Sequence, residues 1–177
     1  DLKIIGNISS LAKQKDLVTF INTAEKVILK NPNVRFVILG TGSEEHFLKD
    51  LVKTKQLENF IYFLGFKNNV ADYLKEFDIL LMTSITEGLP LTIYEAFASE
   101  IPIVSTKAGG IPEVIKDGIN GYLTEIGNAD LLAEKCLSLL EQPDKANQFK
   151  KHSFDLVSKQ FDLKNLEENY YNFYTKL

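Results

Sequence analysis

The sequence predicts a doubly wound α/β domain: a parallel sheet of about six strands, followed by C-terminal helices. Three observations predict it. Short β-rich runs alternate along the chain with stretches of helical spacing. The runs begin roughly 20 to 30 residues apart, the length of one β-α unit. Some of them, such as Ile79-Leu80-Leu81-Met82, are apolar on both faces, as the central strands of a parallel sheet must be.

The elements follow in order. Strands are expected at Lys3–Ile8, Val34–Leu39, 60–64, 79–83, 101–105 and 121–123. Between the first two, Leu17, Phe20, Ile21, Ala24, Val27 and Ile28 repeat at i, i+3, i+4 and i+7, which is one face of a helix. Phe47, Leu48, Leu51 and Val52 form a second stripe, with Ser43 placed as its N-cap. Leu131, Leu132, Cys136, Leu137 and Leu140 form a later one. After about residue 143 the strands stop. Pro143 opens one helical stretch, Asp162 is placed to cap another, and Leu163, Leu166, Tyr170, Phe173, Tyr174 and Leu177 share a broad stripe. The chain reads as one domain over 1–177, an α/β core over about 1–142 and C-terminal helices over 143–177, with no repeat or flexible linker.

Composition narrows the function. The chain has 177 residues, 45% hydrophobic and 25% charged, which is globular and excludes wholesale disorder. Lys plus Arg number 20 and Asp plus Glu 24, a net charge of −4 that does not favour nucleic acid as a partner. One cysteine, Cys136, excludes a disulfide framework or a cysteine zinc site within the chain. No apolar run approaches the ~18 residues that span a bilayer, and no secretory leader pattern opens the chain. These point to a soluble protein of a reducing compartment, the cytoplasm. His46 and His152 stand alone in helical stretches and read as surface residues. Asn7-Ile8-Ser9 spells a glycosylation sequon, which in that compartment is chance.

In such folds ligands bind beyond the carboxyl ends of the strands. The densest loop there is Thr86-Glu87-Gly88-Leu89-Pro90-Leu91-Thr92-Ile93-Tyr94-Glu95-Ala96. Pro90 suits the first turn of a helix, where its missing N–H costs nothing. Glu87 then precedes the helix and Glu95 falls in its second turn. The free amides near Leu91 and Thr92 make a seat for a diphosphate. The plain reading of two glutamates there is that they favour the positive end of the helix dipole. Carboxylates on either side of a phosphate seat make more sense if each takes sugar hydroxyls, and a nucleotide-sugar offers hydroxyls on both sides of its diphosphate. Gly109-Gly110 reads as a turn that lets backbone pass close to the site, and Glu113 as a cap or brace of that turn.

The same loop resembles the two glutamates, seven residues apart, of the retaining glycosyltransferases of family 4 (glycosyl transferases group 1), enzymes of the GT-B fold. The resemblance continues through Ile101-Pro102-Ile103-Val104-Ser105-Thr106, Gly109-Gly110-Ile111-Pro112-Glu113-Val114, Asp117-Gly118 and Gly121-Tyr122-Leu123. Upstream it includes Phe36-Val37-Ile38-Leu39-Gly40-Thr41-Gly42, Ile61-Tyr62-Phe63-Leu64-Gly65 and Phe77-Asp78-Ile79. It covers about residues 4–140. It implies that Glu87 is the catalytic glutamate, holding donor-sugar hydroxyls near the reacting carbon. It implies that Glu95 accepts the ribose hydroxyls, that the amides of Leu91 and Thr92 bind the distal phosphate, and that Gly88 belongs to the donor site. Backbone at Phe66 and Lys67 would edge the base. Lys15, in Lys15-Asp16-Leu17, matches the lysine that meets the diphosphate, and no metal or other cofactor is needed.

Two departures stand out. The family usually has arginine after the first-strand glycine, where this chain has Asn7, so Lys13 or Lys15 would supply the charge. The family's Pro-Ser before the glutamate loop is Thr83-Ser84 here, a change expected to be tolerated because neither side chain is needed for the phosphate seat. The resemblance also implies a missing half: a GT-B enzyme has a second, acceptor-binding domain, which would precede Asp1. The whole protein would transfer a sugar, with retention, from a UDP-sugar, or second from a GDP-sugar, to a saccharide or lipid-linked saccharide in bacterial surface polysaccharide synthesis (O-antigen or capsule). A lipid-linked acceptor would bring it to the inner membrane's cytoplasmic face. The fragment alone would bind nucleotide without turning over. The aromatic stripe at Tyr170, Tyr171, Phe173 and Tyr174 reads as core packing, or as the crossing back to the missing domain. A phosphorylase, a nucleotide-sugar epimerase or a non-catalytic nucleotide-binding module remain alternatives.

Overall fold

The structure is a computed structural model, and it describes residues 2–160. The expected cap at Asp162 and the aromatic stripe after it lie outside those residues. Six strands form one sheet: β1 (Lys3–Ile8), β2 (Val34–Leu39), β3 (Ile61–Gly65), β4 (Ile79–Met82), β5 (Ile103–Thr106) and β6 (Tyr122–Thr124). All neighbours pair in parallel, in the order β3-β2-β1-β4-β5-β6. The helices are α1 (Leu17–Lys30), α2 (Glu45–Thr54), α3 (Val70–Leu74), α4 (Leu91–Ala98), α5 (Ile111–Val114), α6 (Ala129–Glu141) and α7 (Pro143–Gln160). The chain winds outward from β1 to β3, then returns to lay β4 on the other side of β1. α1 and α4 therefore cover opposite faces of the sheet, which makes the carboxyl ends of β1 and β4 the switch point where such folds bind ligands.

Both faces of the sheet are covered, as the wholly buried β4 requires. On one face Ile5, Phe36, Ile38, Leu81 and Val104 meet α1, α2 and α6. Phe20 of α1 stands edge-on to Phe36, ring centroids 5.6 Å apart. Burial of each such ring contributes about 1.5–3 kcal/mol. On the other face Leu39, Leu80, Met82 and Ile103 meet Ile93 and Phe97 of α4 and Ile111 of α5. Leu156 and Val157 of α7 pack against this second cluster.

Departures from the sequence reading trace to bonds with distant parts of the chain. Ser43 is not the cap of α2. Glu44 occupies that position, with no side-chain cap bond, because backbone bonds from Leu11 N to Thr41 O and from Glu44 N to Leu11 O hold the segment before the helix as a turn. β5 starts at Ile103 rather than 101, and the Pro102 carbonyl accepts from Leu80 N at 3.0 Å. β4 ends at Met82 because Thr83 turns to bond the loop after β1. The short helices α3 and α5 carry too few turns for their periodicity to be read.

Candidate functional site

The switch point is framed by the loop after β1, residues 9–16, and the loop after β4, residues 83–90. Hydrogen bonds zip the two together. Thr83 Oγ1 donates to Lys15 O at 3.0 Å and Asp16 O at 2.9 Å, and Ile85 N donates to Gln14 O at 2.8 Å. The first loop ends in a single 3-10 turn, Lys13–Lys15, stopped by Asp16 in the left-handed region at φ 45°. Asp16 then caps α1, its carboxylate accepting from Thr19 N at 3.2 Å and Thr19 Oγ1 at 2.6 Å. The left-handed Asp16 and its cap bonds fix the backbone beside one side chain. That side chain is Lys15.

Lys15 Nζ lies 2.6 Å from Glu87 Oε1. Ser84 Oγ donates to the same oxygen, also at 2.6 Å. Glu87 Oε2 takes no donor among the described residues. The pair is largely withdrawn from solvent, with 19% of the Lys15 side chain and 8% of the Glu87 side chain exposed. The sequence reading left Lys13 or Lys15 open. Lys13 is exposed, and Lys15 is the one that reaches Glu87. Asn7 is buried: its Nδ2 donates to Leu81 O at 2.8 Å and its Oδ1 accepts from Ser9 Oγ at 2.7 Å. It ties β1 to β4, which also keeps the sequon inside the fold.

The peptide beyond Glu87 is clamped from the β5 side. Thr106 Oγ1 donates to Ser84 O at 2.6 Å, and Gly110 N donates to Gly88 O at 3.1 Å. Gly109 has φ +51°, and any Cβ on it would strike the Glu87 carbonyl. This is the close backbone approach expected of Gly109-Gly110. Gly88 faces open space instead: a Cβ there would meet nothing within 4 Å.

Pro90 is the N-cap of α4 and provides no side-chain cap bond. The amides of Leu91 and Thr92 have no acceptor among the described residues, whereas Ile93 N already bonds Pro90 O at 3.1 Å. Free donors at the positive end of a helix dipole can take an anion. Leu91 is 74% exposed at this corner. Glu95, in the second turn, is exposed, and its carboxylate accepts from no described residue. Its neighbour Tyr94 has its phenol pKa raised, first by burial and then by the Glu113 carboxylate. Glu113 makes no cap bond to α5.

Phe66 and Lys67 follow β3, three strand positions from β4 and so about 14 Å across the sheet. Phe66 is 70% exposed, and Lys67 Nζ lies 5.7 Å from the Tyr73 ring centre. Thus Lys15 and Glu87 meet directly, Gly88, Leu91, Thr92 and Glu95 share the loop and helix beside them, and Phe66 and Lys67 sit apart on the same rim. Thr83, Ser84 and Thr106 are the functional neighbours that sequence reasoning missed. Thr83 and Ser84 make no bond to the Leu91 and Thr92 amides; they hold the Lys15 backbone and the Glu87 carboxylate instead. Their signal was three hydroxyl residues at the carboxyl ends of two adjacent strands. His46 is exposed and pairs with Asp50 at 2.8 Å, and His152 Nδ1 lies 2.9 Å from Ile119 O.

A family model, glycosyl transferases group 1, matches residues 1–155. N-acetyl-alpha-D-glucosaminyl L-malate synthase of Bacillus anthracis is 30% identical over 172 residues, 97% of this chain and 45% of that relative. Poly(ribitol-phosphate) alpha-N-acetylglucosaminyltransferase of Staphylococcus aureus (strain COL) is 29% identical over 173 residues, 97% of this chain and 35% of that relative. The chain thus spans less than half the length of these curated relatives. Among solved structures, Anabaena Alr3699/HepE in complex with UDP superposes with a TM-score of 0.90 at 25% identity, covering 99% of this chain and 49% of that one. The C-terminal domain of the glycosyl transferase group 1 family protein LpcC from Francisella tularensis superposes with a TM-score of 0.83 at 29% identity, covering 91% of this chain and 87% of that domain.

Proposed function

The chain belongs to the glycosyl transferases group 1 family, and from that premise we propose that it is the donor-binding domain of a retaining glycosyltransferase of the GT-B fold. The whole protein transfers a sugar from a nucleotide diphosphate, a UDP-sugar before a GDP-sugar, to a saccharide or lipid-linked saccharide. The acceptor half lies outside this chain. The likeness to a domain described as C-terminal supports that division. The UDP held by HepE, and the N-acetylglucosaminyl transfer named for the Staphylococcus aureus relative, support the choice of donor. The relatives that include colanic acid biosynthesis glycosyltransferase WcaL support a role in surface polysaccharide assembly. Among the described residues no helix is long and apolar enough to cross a membrane. In this reading the protein works in the cytoplasm, and at the membrane face when its acceptor is lipid-linked.

The observation that carries the reading is the Lys15–Glu87 pair set beside the unoccupied amides of Leu91 and Thr92. As the nucleoside diphosphate leaves, negative charge grows on its distal phosphate. Those two amides, the α4 dipole and the Lys15 ammonium stabilise that charge, with no metal required. Glu87 Oε2 accepts hydroxyls of the transferred sugar. Glu95 accepts the ribose hydroxyls, and backbone at Phe66 and Lys67 edges the base. Gly88 leaves room for the donor.

Calorimetric titration with UDP and with GDP, on this chain and on the full-length protein, tests the reading. One nucleotide, expected to be UDP, binds, and Glu95→Ala weakens it by about tenfold or more, the worth of one or two hydrogen bonds to a carboxylate. Absence of binding of either nucleotide to the full-length protein overturns the reading.

A further inference from the structure

We propose that Ser84 is a positioning residue of the donor site, which keeps the Glu87 carboxylate aimed at the sugar when the diphosphate draws Lys15 away. The inference rests on the donor-site reading above. Two donors converge on one oxygen: Lys15 Nζ and Ser84 Oγ each lie 2.6 Å from Glu87 Oε1. Oε2 is left without a donor among the described residues and is the atom that can serve a ligand. Lys15 cannot hold both the carboxylate and a diphosphate at full strength. A diphosphate carries more charge than a carboxylate, so the ammonium turns toward it when it binds.

Glu87 then faces two losses. It gives up its cation, and it sits near a new anion of like charge. A glutamate free at three torsions would swing away from the sugar. Ser84 prevents this, because it cannot follow Lys15. Its side chain is short, its residue is 3% exposed, and its carbonyl is fixed by Thr106 Oγ1 at 2.6 Å. It stands three residues before Glu87 on the same clamped loop, whose far end is held by Gly110. The Ser84 hydroxyl therefore persists on Oε1 through the exchange and leaves Oε2 free to accept from the sugar.

The test measures a ratio in the full-length protein: the affinity for UDP-glucose or UDP-N-acetylglucosamine, whichever wild type binds tighter, relative to the affinity for UDP. In Ser84→Ala the UDP affinity is unchanged, while the ratio falls about tenfold, the worth of one charge-assisted hydrogen bond. In a Glu87→Ala background, Ser84→Ala changes the ratio no further, because its effect passes through that side chain. A general structural defect would instead weaken UDP and UDP-sugar equally, and would add to the Glu87→Ala effect. Either of those results, or an unchanged ratio in Ser84→Ala, overturns the proposal. Wild-type protein that binds neither UDP nor GDP overturns the donor-site reading itself, and that outcome is read from the wild-type arm alone.

Discussion

At the amino ends of the strands, the 116–121 loop that leads into β6 closes on its own chain. Asn120 Oδ1 accepts from Lys116 N at 2.6 Å, Asn120 Nδ2 donates to Val114 O at 3.1 Å, and Asp117 Oδ1 accepts from Leu123 N at 2.9 Å. Helix α7 locks the same loop from outside: Ser153 Oγ donates to Asn120 O at 3.0 Å and Lys145 Nζ to Gly118 O at 2.8 Å. At the carboxyl ends, the 83–95 segment is as densely bonded at its root, through Thr83, Ser84 and Thr106. Its tip is different. Glu87 Oε2, the amides of Leu91 and Thr92 and the Glu95 carboxylate all end without partners among the described residues. A buried polar group left unmatched costs about 1–3 kcal/mol, so a loop that needs only to fold satisfies its groups internally. The open tip keeps its groups near solvent and available. The contrast separates a polar network closed on itself from one whose outer groups stay free to take a ligand.

The largest effect expected from this contrast is on turnover. Glu87→Gln keeps the shape of the side chain and removes its charge. Transfer by the full-length protein falls about 10²–10³-fold, the loss typical of one group aimed at developing charge. Nucleotide affinity is held or improved, because Lys15 loses its competing carboxylate. Steady-state kinetics with the natural acceptor, or donor hydrolysis in its absence, gives the measurement. Full turnover in Glu87→Gln would mean that the open tip is not the reacting end and that a non-catalytic nucleotide-binding module fits better.

The closed end should respond in the opposite way. Asn120→Ala strands the Lys116 N–H and the Val114 carbonyl together, a loss of about 2–3 kcal/mol in stability. Urea denaturation measures it. UDP affinity stays at the wild-type value, since this loop lies at the amino ends of the strands, opposite the proposed donor site. A variant that instead kept its stability and lost its nucleotide would reverse the roles of the two ends.

The sequence carried most of the fold because the fold depends on long patterns. The both-face apolar run 79–82 and the 3.6-residue stripe of Leu17, Phe20, Ile21 and Ala24 survive in the structure as β4 and the buried face of α1. The open tip was also legible, since Pro90 and the glutamates either side of it announce a helix start with unused donors. What escaped was set by partners far away in the chain. The Ser43 cap gave way to backbone bonds with Leu11. Thr83 looked idle because its partners, Lys15 and Asp16, lie about 70 residues upstream, and the fixed carbonyl of Ser84 depends on Thr106 in another strand. Local spacing holds no record of such pairs.

The smallest expected effect belongs to neither end. Cys136 lies on the inner face of α6, fully buried in the core against α1. Burial pushes its thiol pKa far above the ordinary 9.0. The folded state therefore keeps the proton while the unfolded chain loses it. A folded pKa raised above the unfolded one gives stability that is whole below pH 9 and declines as pH rises beyond it. Between pH 8 and pH 10 the decline is about 1.4 kcal/mol, one proton's worth over about one pH unit of ionisation in the unfolded chain. Tyr94, whose phenol is also raised, adds a loss of the same sign at still higher pH. Urea denaturation of wild type and Cys136→Ala at the two pH values separates the contributions. The variant starts less stable, because it leaves a small void, but it loses less between pH 8 and pH 10. Equal losses in the two proteins would place the alkaline sensitivity in the polar networks at the sheet ends rather than in the core between them.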